Sequence, residues 1–302
     1  MINMPREQPI ASAAALTPDL RTVAESRRAV MLIGHGSLRP DAGAAMIRLA
    51  ARAEVAGVAP MVVAGFLNDR RPTFAEALAR CIHMGAGAVI VQPYFLGPGR
   101  FIHEDLAQLV EAARLAHPGL VLRMAQPFGS HPALARLVLK RALEADYLAA
   151  NPHIAIAGSP RALDDGAGWQ PLHMRQRTGL LIMAHGSANA QANRPVYQIA
   201  RQVRASRRYA ATTVCFLERS KPGIPEAAAA MAQRGIDQII AVPYFLHAGN
   251  HVCVDLPMQI EAARMYTRHG TIILAEHLGY DRLLVPVIAD RVAEMWRANA
   301  PG

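Results

Sequence analysis

The chain has 302 residues, 52% of them apolar and 18% charged, with a formal net charge of +9. That length carries two domains of ordinary size, and the composition excludes a disordered or fibrous chain. Only 5% of residues are aromatic and no basic run interleaves with them, which excludes a base-stacking nucleic-acid platform; no apolar run approaches the roughly 18 residues of a membrane span. The positive charge fits a small polyanionic partner better than nucleic acid or a membrane surface.

Residues 1–27 read as a loosely ordered leader. The apolar run Ala11–Leu16 is too short and too broken to act as a secretory signal, so the protein is expected in the cytoplasm. Residues 28–148 alternate short apolar runs with helical patterns. Strands are expected at Ala29–Ile33, Met61–Phe66, Ala88–Gln92 and Val121–Met124, with helices at Ala42–Ala56, Thr73–Met84 and Ile102–His117. Residues 149–177 hold Asn151-Pro152, Gly158-Ser159-Pro160 and Asp164-Asp165-Gly166, the turn formers of a linker, with a short strand expected at His153–Ala157. Residues 178–302 repeat the first unit, with strands near Leu180–Ala184, Thr212–Phe216, Gln238–Val242 and Ile272–Ala275.

The repeat holds one gapless register of 150 residues. His35-Gly36-Ser37 returns as His185-Gly186-Ser187, Phe66-Leu67 as Phe216-Leu217, and Pro93-Tyr94-Phe95-Leu96 as Pro243-Tyr244-Phe245-Leu246. Pro72, Glu76, Gly99, Asp105, the run Glu111–Arg114 and Gly129 all recur in the same register. Apolar strands separated by helices indicate parallel sheets covered on both faces. The fold expected is therefore α/β, two tandem doubly wound parallel-sheet domains related by internal duplication. Ligands of such sheets sit at the carboxyl ends of the strands. The cysteines Cys81, Cys215 and Cys253 form no CxxC pair, so small buried hydrophobes are expected rather than disulfides or a zinc site.

Three residues of the second repeat follow strand ends directly: His185, Glu218 and His251. Two neutral imidazoles and a carboxylate suit a divalent first-row metal such as Fe²⁺, Co²⁺ or Ni²⁺, and three protein ligands leave positions open for transfer. The first repeat keeps His35 but has Asn68 in place of Glu218 and Phe101 in place of His251, so its site is degenerate. His103 and Glu104 lie near the lost position and leave a rearranged second metal site as an alternative. Arg100, Arg194 and Lys221 fall on rim loops and are candidates for pairing with substrate carboxylates. Neither GxxxxGK[ST] nor GxGxxG occurs, so no nucleotide is expected, and neither Ser37 nor Ser187 sits in a GxSxG elbow.

The joint pattern of His185-Gly186-Ser187 with Asn193, Phe216-Leu217-Glu218 before Pro222, and Pro243-Tyr244-Phe245-Leu246 with Gly249-Asn250-His251 and Asp255-Leu256-Pro257 resembles the class II chelatases. Within them it is similar to the sirohydrochlorin cobaltochelatases and ferrochelatases, whose long forms contain two such domains. The resemblance runs from Ala29 to Trp296. It implies a chelatase-like fold and ATP-independent insertion of Co²⁺ or Fe²⁺ into an anionic tetrapyrrole, in cobalamin or sirohaem biosynthesis. It also implies metal-binding and catalytic positions at His185, Glu218 and His251, with Asn193 and Asp255 recurrent in the motif. In long-form relatives the intact set can lie in the first half; here it lies in the second. The rival reading is a tetrapyrrole or metal carrier that kept the cleft and lost turnover. Two fused repeats reproduce the cleft that a single-domain relative makes by dimerising, so a monomer is expected, with a homodimer as the alternative.

Overall fold

The computed structural model describes residues 27–36, 40–68, 70–151, 175–267 and 270–297. Most of the expected leader, most of the linker, the strand expected at His153–Ala157 and Ser37 lie outside the described residues.

Repeat 1 runs β1 (Arg28–Gly34), α1 (Pro40–Val55), β2 (Met61–Phe66), α2 (Phe74–His83), β3 (Ala88–Pro93), α3 (Ala107–Ala116), β4 (Val121–Met124) and α4 (Pro132–Ala150). Repeat 2 follows with β5 (Arg175–Ala184), α5 (Ala190–Ala205), β6 (Tyr209–Phe216), α6 (Ile224–Gln233), β7 (Gln238–Pro243), α7 (Leu256–Arg264), β8 (Thr271–Leu274) and α8 (Leu284–Arg297). Wide π-helical turns, Phe101–Leu106 and His251–Asp255, lead into α3 and α7. The strands form two parallel four-stranded sheets of orders β2-β1-β3-β4 and β6-β5-β7-β8. The α/β duplication expected from the sequence is the observed architecture. In each sheet the strand order reverses at the central strand, so the ends of β1 and β5 sit where a ligand site is expected.

Each sheet has an outer and an inner core. Outside, Phe74, Leu78 and Cys81 of α2 and Val110 of α3 cover Met31, Ile33 and Val91, and the corresponding helices of repeat 2 cover Leu181 and Met183. Inside there is one core shared by both repeats. Leu32, Ile90, Met46 and Leu49 of repeat 1 belong to the same buried cluster as Ile182, Ile240, Ile199 and Val287 of repeat 2.

The sequence reading assigns no helix to α4 or α8, and these two make the shared core. Each crosses to the other repeat: α4 lies against β7, β8 and α5, while α8 lies against β3 and α1. The exchange is locked by reciprocal polar contacts. Arg141 of α4 donates from Nε to the His277 carbonyl (2.9 Å) and from Nη2 to the Leu278 carbonyl (3.0 Å). Its counterpart Arg291 of α8 donates to the Phe128 carbonyl at 3.0 Å, and Phe128 is the counterpart of Leu278. Beside each arginine is a carboxylate contact whose sides are exchanged between the two halves: Lys140 pairs with Asp281 at 2.9 Å, while His131, whose Nδ1 accepts the Ala133 amide, donates from Nε2 to Asp290 at 2.9 Å.

Asp281 is only 5% exposed, pairs with Lys140 and Arg141, and accepts the Leu283 amide at 2.9 Å. Removing its carboxylate takes the nearer acid from Lys140 and leaves Glu144 as the remaining carboxylate beside two partly buried cations. Asp281→Ala is expected to lower unfolding stability by about 3 kcal/mol in a urea titration. The shared core predicts that both halves lose structure in one coincident transition, read by far-UV dichroism and Trp fluorescence together.

Candidate active site

The carboxyl ends of β5, β6 and β7 build the site. The ladder between β5 and β6 continues past the strands: the Leu217 amide donates to the Ala184 carbonyl and the Glu218 amide to the His185 carbonyl, both at 2.9 Å. Glu218 is thereby fixed beside His185 through its backbone, with its side chain exposed. The chain turns sharply at Gly186, whose φ is +90°. A side chain there would overlap the Glu218 carbonyl oxygen. Glycine in His-Gly-Ser is thus required by both φ and space.

Asn193 holds the next loop. Its Nδ2 donates to the Ser187 carbonyl and to Ser220 Oγ, both at 2.9 Å, and Ser220 Oγ donates to the same carbonyl at 2.8 Å. Asn193 therefore ties the loop after β5 to the loop after β6. Ser220 escaped the sequence reading, because a partner so far along the chain leaves no local signal. In repeat 1 the corresponding positions are Gly43 and Arg70, and the Arg70 side chain lies where a side chain on Gly43 would be.

His251 opens the π-helical turn before α7, anchored below by the fully buried Leu256. Its ring meets that of His185 edge to face, with centroids 4.9 Å apart and an interplanar angle of 76°. The Nδ1 atoms of both rings are engaged: that of His185 with the Gly186 carbonyl at 3.0 Å, and that of His251 with Asp255 Oδ2 at 2.7 Å. A carbonyl or an ionised carboxylate only accepts, so each Nδ1 carries the hydrogen and each neutral ring keeps its lone pair on Nε2. Two imidazoles pre-set in the same tautomer can bind a cation or take up protons. The Asp255 carboxylate orients His251 from behind, as a partner of a ligating histidine does.

The structure brings together His185, His251 and Asp255, and seats Glu218 next to them by its backbone. Among the described residues, no three His, Cys, Asp or Glu side chains converge as a preformed metal cluster. The basic candidates each have a local partner. Lys221 pairs with Glu226, whose carboxylate also accepts the Gly223 amide. Lys221 holds that carboxyl below its usual range. Arg71 and Glu76 repeat this pair in the first half, where the guanidinium lowers the Glu76 carboxyl to about 2. The pairing secures the start of α6, as its copy secures α2. Arg194 donates to Gln191 at 2.8 Å on the first turn of α5, and Arg100 pairs with Glu104 at 2.9 Å. Burial pushes the Cys81 thiol up to about 11 and the Cys215 thiol higher, as expected of interior cysteines. Cys253 departs from that expectation: it is exposed on the π-helical turn, which carries no buried residue.

The family model CbiX matches residues 29–145 and again residues 179–295. The chain belongs to the CbiX family. Among curated relatives of this CbiX chain is the sirohydrochlorin cobaltochelatase of Sulfurisphaera tokodaii, 31% identical over 40% of this chain and 96% of the relative. That of Priestia megaterium is 20% identical over 88% of this chain and 79% of the relative. The solved structure of SirB from Bacillus subtilis with Fe³⁺ matches with a TM-score of 0.70 at 18% identity, covering 88% of this chain and 94% of SirB, which shows a common fold.

Replacing Asp255 by Asn keeps the size but removes the charge behind His251. The expected result is an approximately tenfold weaker affinity for Co²⁺ by equilibrium titration, with an unchanged melting temperature. Gly186→Ala must strain the backbone and push Glu218 away from His185. It is expected to weaken Co²⁺ binding at least as much and, unlike the Asp255 change, to lower stability by about 2 kcal/mol.

Proposed function

We propose that this chain is a sirohydrochlorin chelatase, inserting Co²⁺ or Fe²⁺ into the metal-free tetrapyrrole without ATP. The observation that carries the reading is the His185–His251 pair, with both Nδ1 atoms engaged and both Nε2 lone pairs kept. Similarity over 88% of this chain to a protein named sirohydrochlorin cobaltochelatase supports it.

Metal insertion requires an ion to be delivered, two pyrrole N–H bonds to break and two protons to be carried off. In this proposal His185 and His251 hold the ion at Nε2, with Glu218 as the third ligand from the adjoining strand end. The ion passes to the ring nitrogens, and the imidazoles relieved of it accept the two pyrrole protons and pass them to solvent. No electron changes hands. Asp255 holds His251 through both stages, and Asn193 and Ser220 keep the His185 loop in register. Arg194 and Arg100 are assigned to substrate carboxylates as an exchange of partners at exposed sites. Lys221 serves in the α6 start instead. We take the working unit as one chain, because the exchanged helices already form a two-fold-like interface within it. No helix among the described residues is long and apolar enough to cross a membrane. Three free cysteines suit a reducing compartment such as the cytoplasm.

Anaerobic incubation with sirohydrochlorin and Co²⁺ or Fe²⁺, followed by absorbance against an enzyme-free control, tests the reading. Wild type is expected to accelerate insertion, and His185→Ala and His251→Ala to reduce the rate by about 100-fold or more. His35→Ala is expected to stay within about threefold of wild type. A damaging His35 change would put the site in repeat 1. Tight tetrapyrrole binding with no acceleration by wild type would favour the carrier reading, for which the loss of a second imidazole in repeat 1 speaks.

A further inference from the structure

Phe101 stands in repeat 1 where His251 stands in repeat 2, and its ring keeps the local geometry. His35 and Phe101 meet edge to face at 4.3 Å and 82°, against 4.9 Å and 76° for the histidine pair. The substitution removes a nitrogen but not the ring from the rim, where Phe101 is 39% exposed. A second ring backs it: Phe95 stacks on Phe101 with centroids 6.5 Å apart and planes inclined by 19°. In repeat 2 the counterpart Phe245 packs against the outer core instead. Repeat 1 has thus turned a ligand position into a two-ring aromatic surface.

That surface borders the histidine site. The Tyr94 ring, just past β3, contacts the ring of His247, four residues before His251, at 5.1 Å. A side chain on Gly34, next to His35, would come within 3.6 Å of His247 Nε2, and one on Gly97, between Phe95 and Phe101, within 3.5 Å of the Ala192 carbonyl on the first turn of α5. The strand-end rims of the two repeats therefore abut. One carries two imidazoles and the other a pair of phenyl rings.

We propose that Phe101, backed by Phe95 and His35, is the platform on which the tetrapyrrole ring lies while the imidazoles of repeat 2 work on it. This rests on the chelatase reading above. The ligand chemistry is that of a flat conjugated ring with an anionic edge. Its apolar face gains dispersion and quadrupole contact on an aromatic side chain, and its carboxylates need not be buried. Phenyl rings at this place add contact area without competing for the ion, which an imidazole at position 101 would do. The loss of a ligand in repeat 1 then becomes a division of labour: repeat 2 handles metal and protons, and repeat 1 holds the ring plane.

The test titrates metal-free sirohydrochlorin into the full chain under anaerobic conditions, by its fluorescence change, and measures insertion kinetics and Co²⁺ affinity in parallel. Phe101→Ala is expected to weaken sirohydrochlorin binding and to raise its KM about tenfold, with kcat and Co²⁺ affinity within about twofold of wild type. Phe101→Tyr should bind as wild type does, and Phe101→Leu, which keeps bulk without a π face, should fall between. Because Phe101 is partly exposed, the Tyr and Leu variants keep the test decisive even if the Ala variant proves poorly folded. Wild-type affinity in folded Phe101→Ala, or equal binding by the Leu and Tyr variants, would overturn the platform while leaving the chelatase intact. A wild-type chain that neither binds nor metallates sirohydrochlorin would instead remove the reading on which the platform rests.

Discussion

The structure depends on apolar burial between its two sheets, achieved by exchanging helices. A parallel sheet must be covered on both faces, and each repeat by itself leaves its inner face incomplete. Helices α4 and α8 finish the inner faces of the opposite sheets, so Leu32 and Ile182, from central strands of different repeats, fall in one core. Arg141 and Arg291 close the exchange by donating to carbonyls that would otherwise be left in the seam. The paired arginines, each beside a carboxylate contact whose sides are exchanged, are what a two-fold interface becomes once both of its halves lie on one chain and diverge separately. This burial brings the carboxyl ends of both sheets to the same side of the molecule.

At that rim the backbone does most of the positioning. The β5–β6 ladder extends two residues beyond the strands, carrying His185 and Glu218 side by side, and the turn at Gly186 is possible only without a side chain. The π-helical turn at His251–Asp255 sets the second imidazole and its carboxylate partner on one surface, a use of this rare geometry that recurs at functional sites. Duplicating the scaffold duplicated these devices, since the same turn precedes α3 and Asn68 donates to the His35 carbonyl at 2.9 Å just as Glu218 does to His185. What diverged are the side chains. Asn193 and Ser220 lock the loop in one half, while Gly43 and Arg70 replace them in the other.

The asymmetry follows from what a single cleft requires. One planar substrate presents one centre to be metallated, so a second ligand set on the facing rim would compete for the ion. A rim freed from ligation can specialise in holding the ring, and the paired rings of Phe95 and Phe101 are suited to that.

By itself the sequence determined the duplication, the eight central strands and the residues at their ends. These follow from short-range rules: apolar runs of strand length, helical spacing, and a repeat register that any reader can count. It also showed which half kept both histidines. It could not show the exchange of α4 and α8. Leu134, Leu137, Val138 and Ala142 form an apolar stripe at helical spacing on α4, but a stripe does not name the sheet it will cover. The stripe on α8, Leu284, Val287, Ile288 and Val292, does not tell which sheet it will cover. Nor could the sequence give the roles of Asn193, Ser220 and Asp255, or the occupation of Lys221 by Glu226, because hydrogen bonds are fixed by distance and angle rather than by residue type. Local pattern chose the elements and the chemistry available at their ends. Only tertiary packing decided which ends meet, because burial of one shared core fixes the relative placement of strands far apart in the chain.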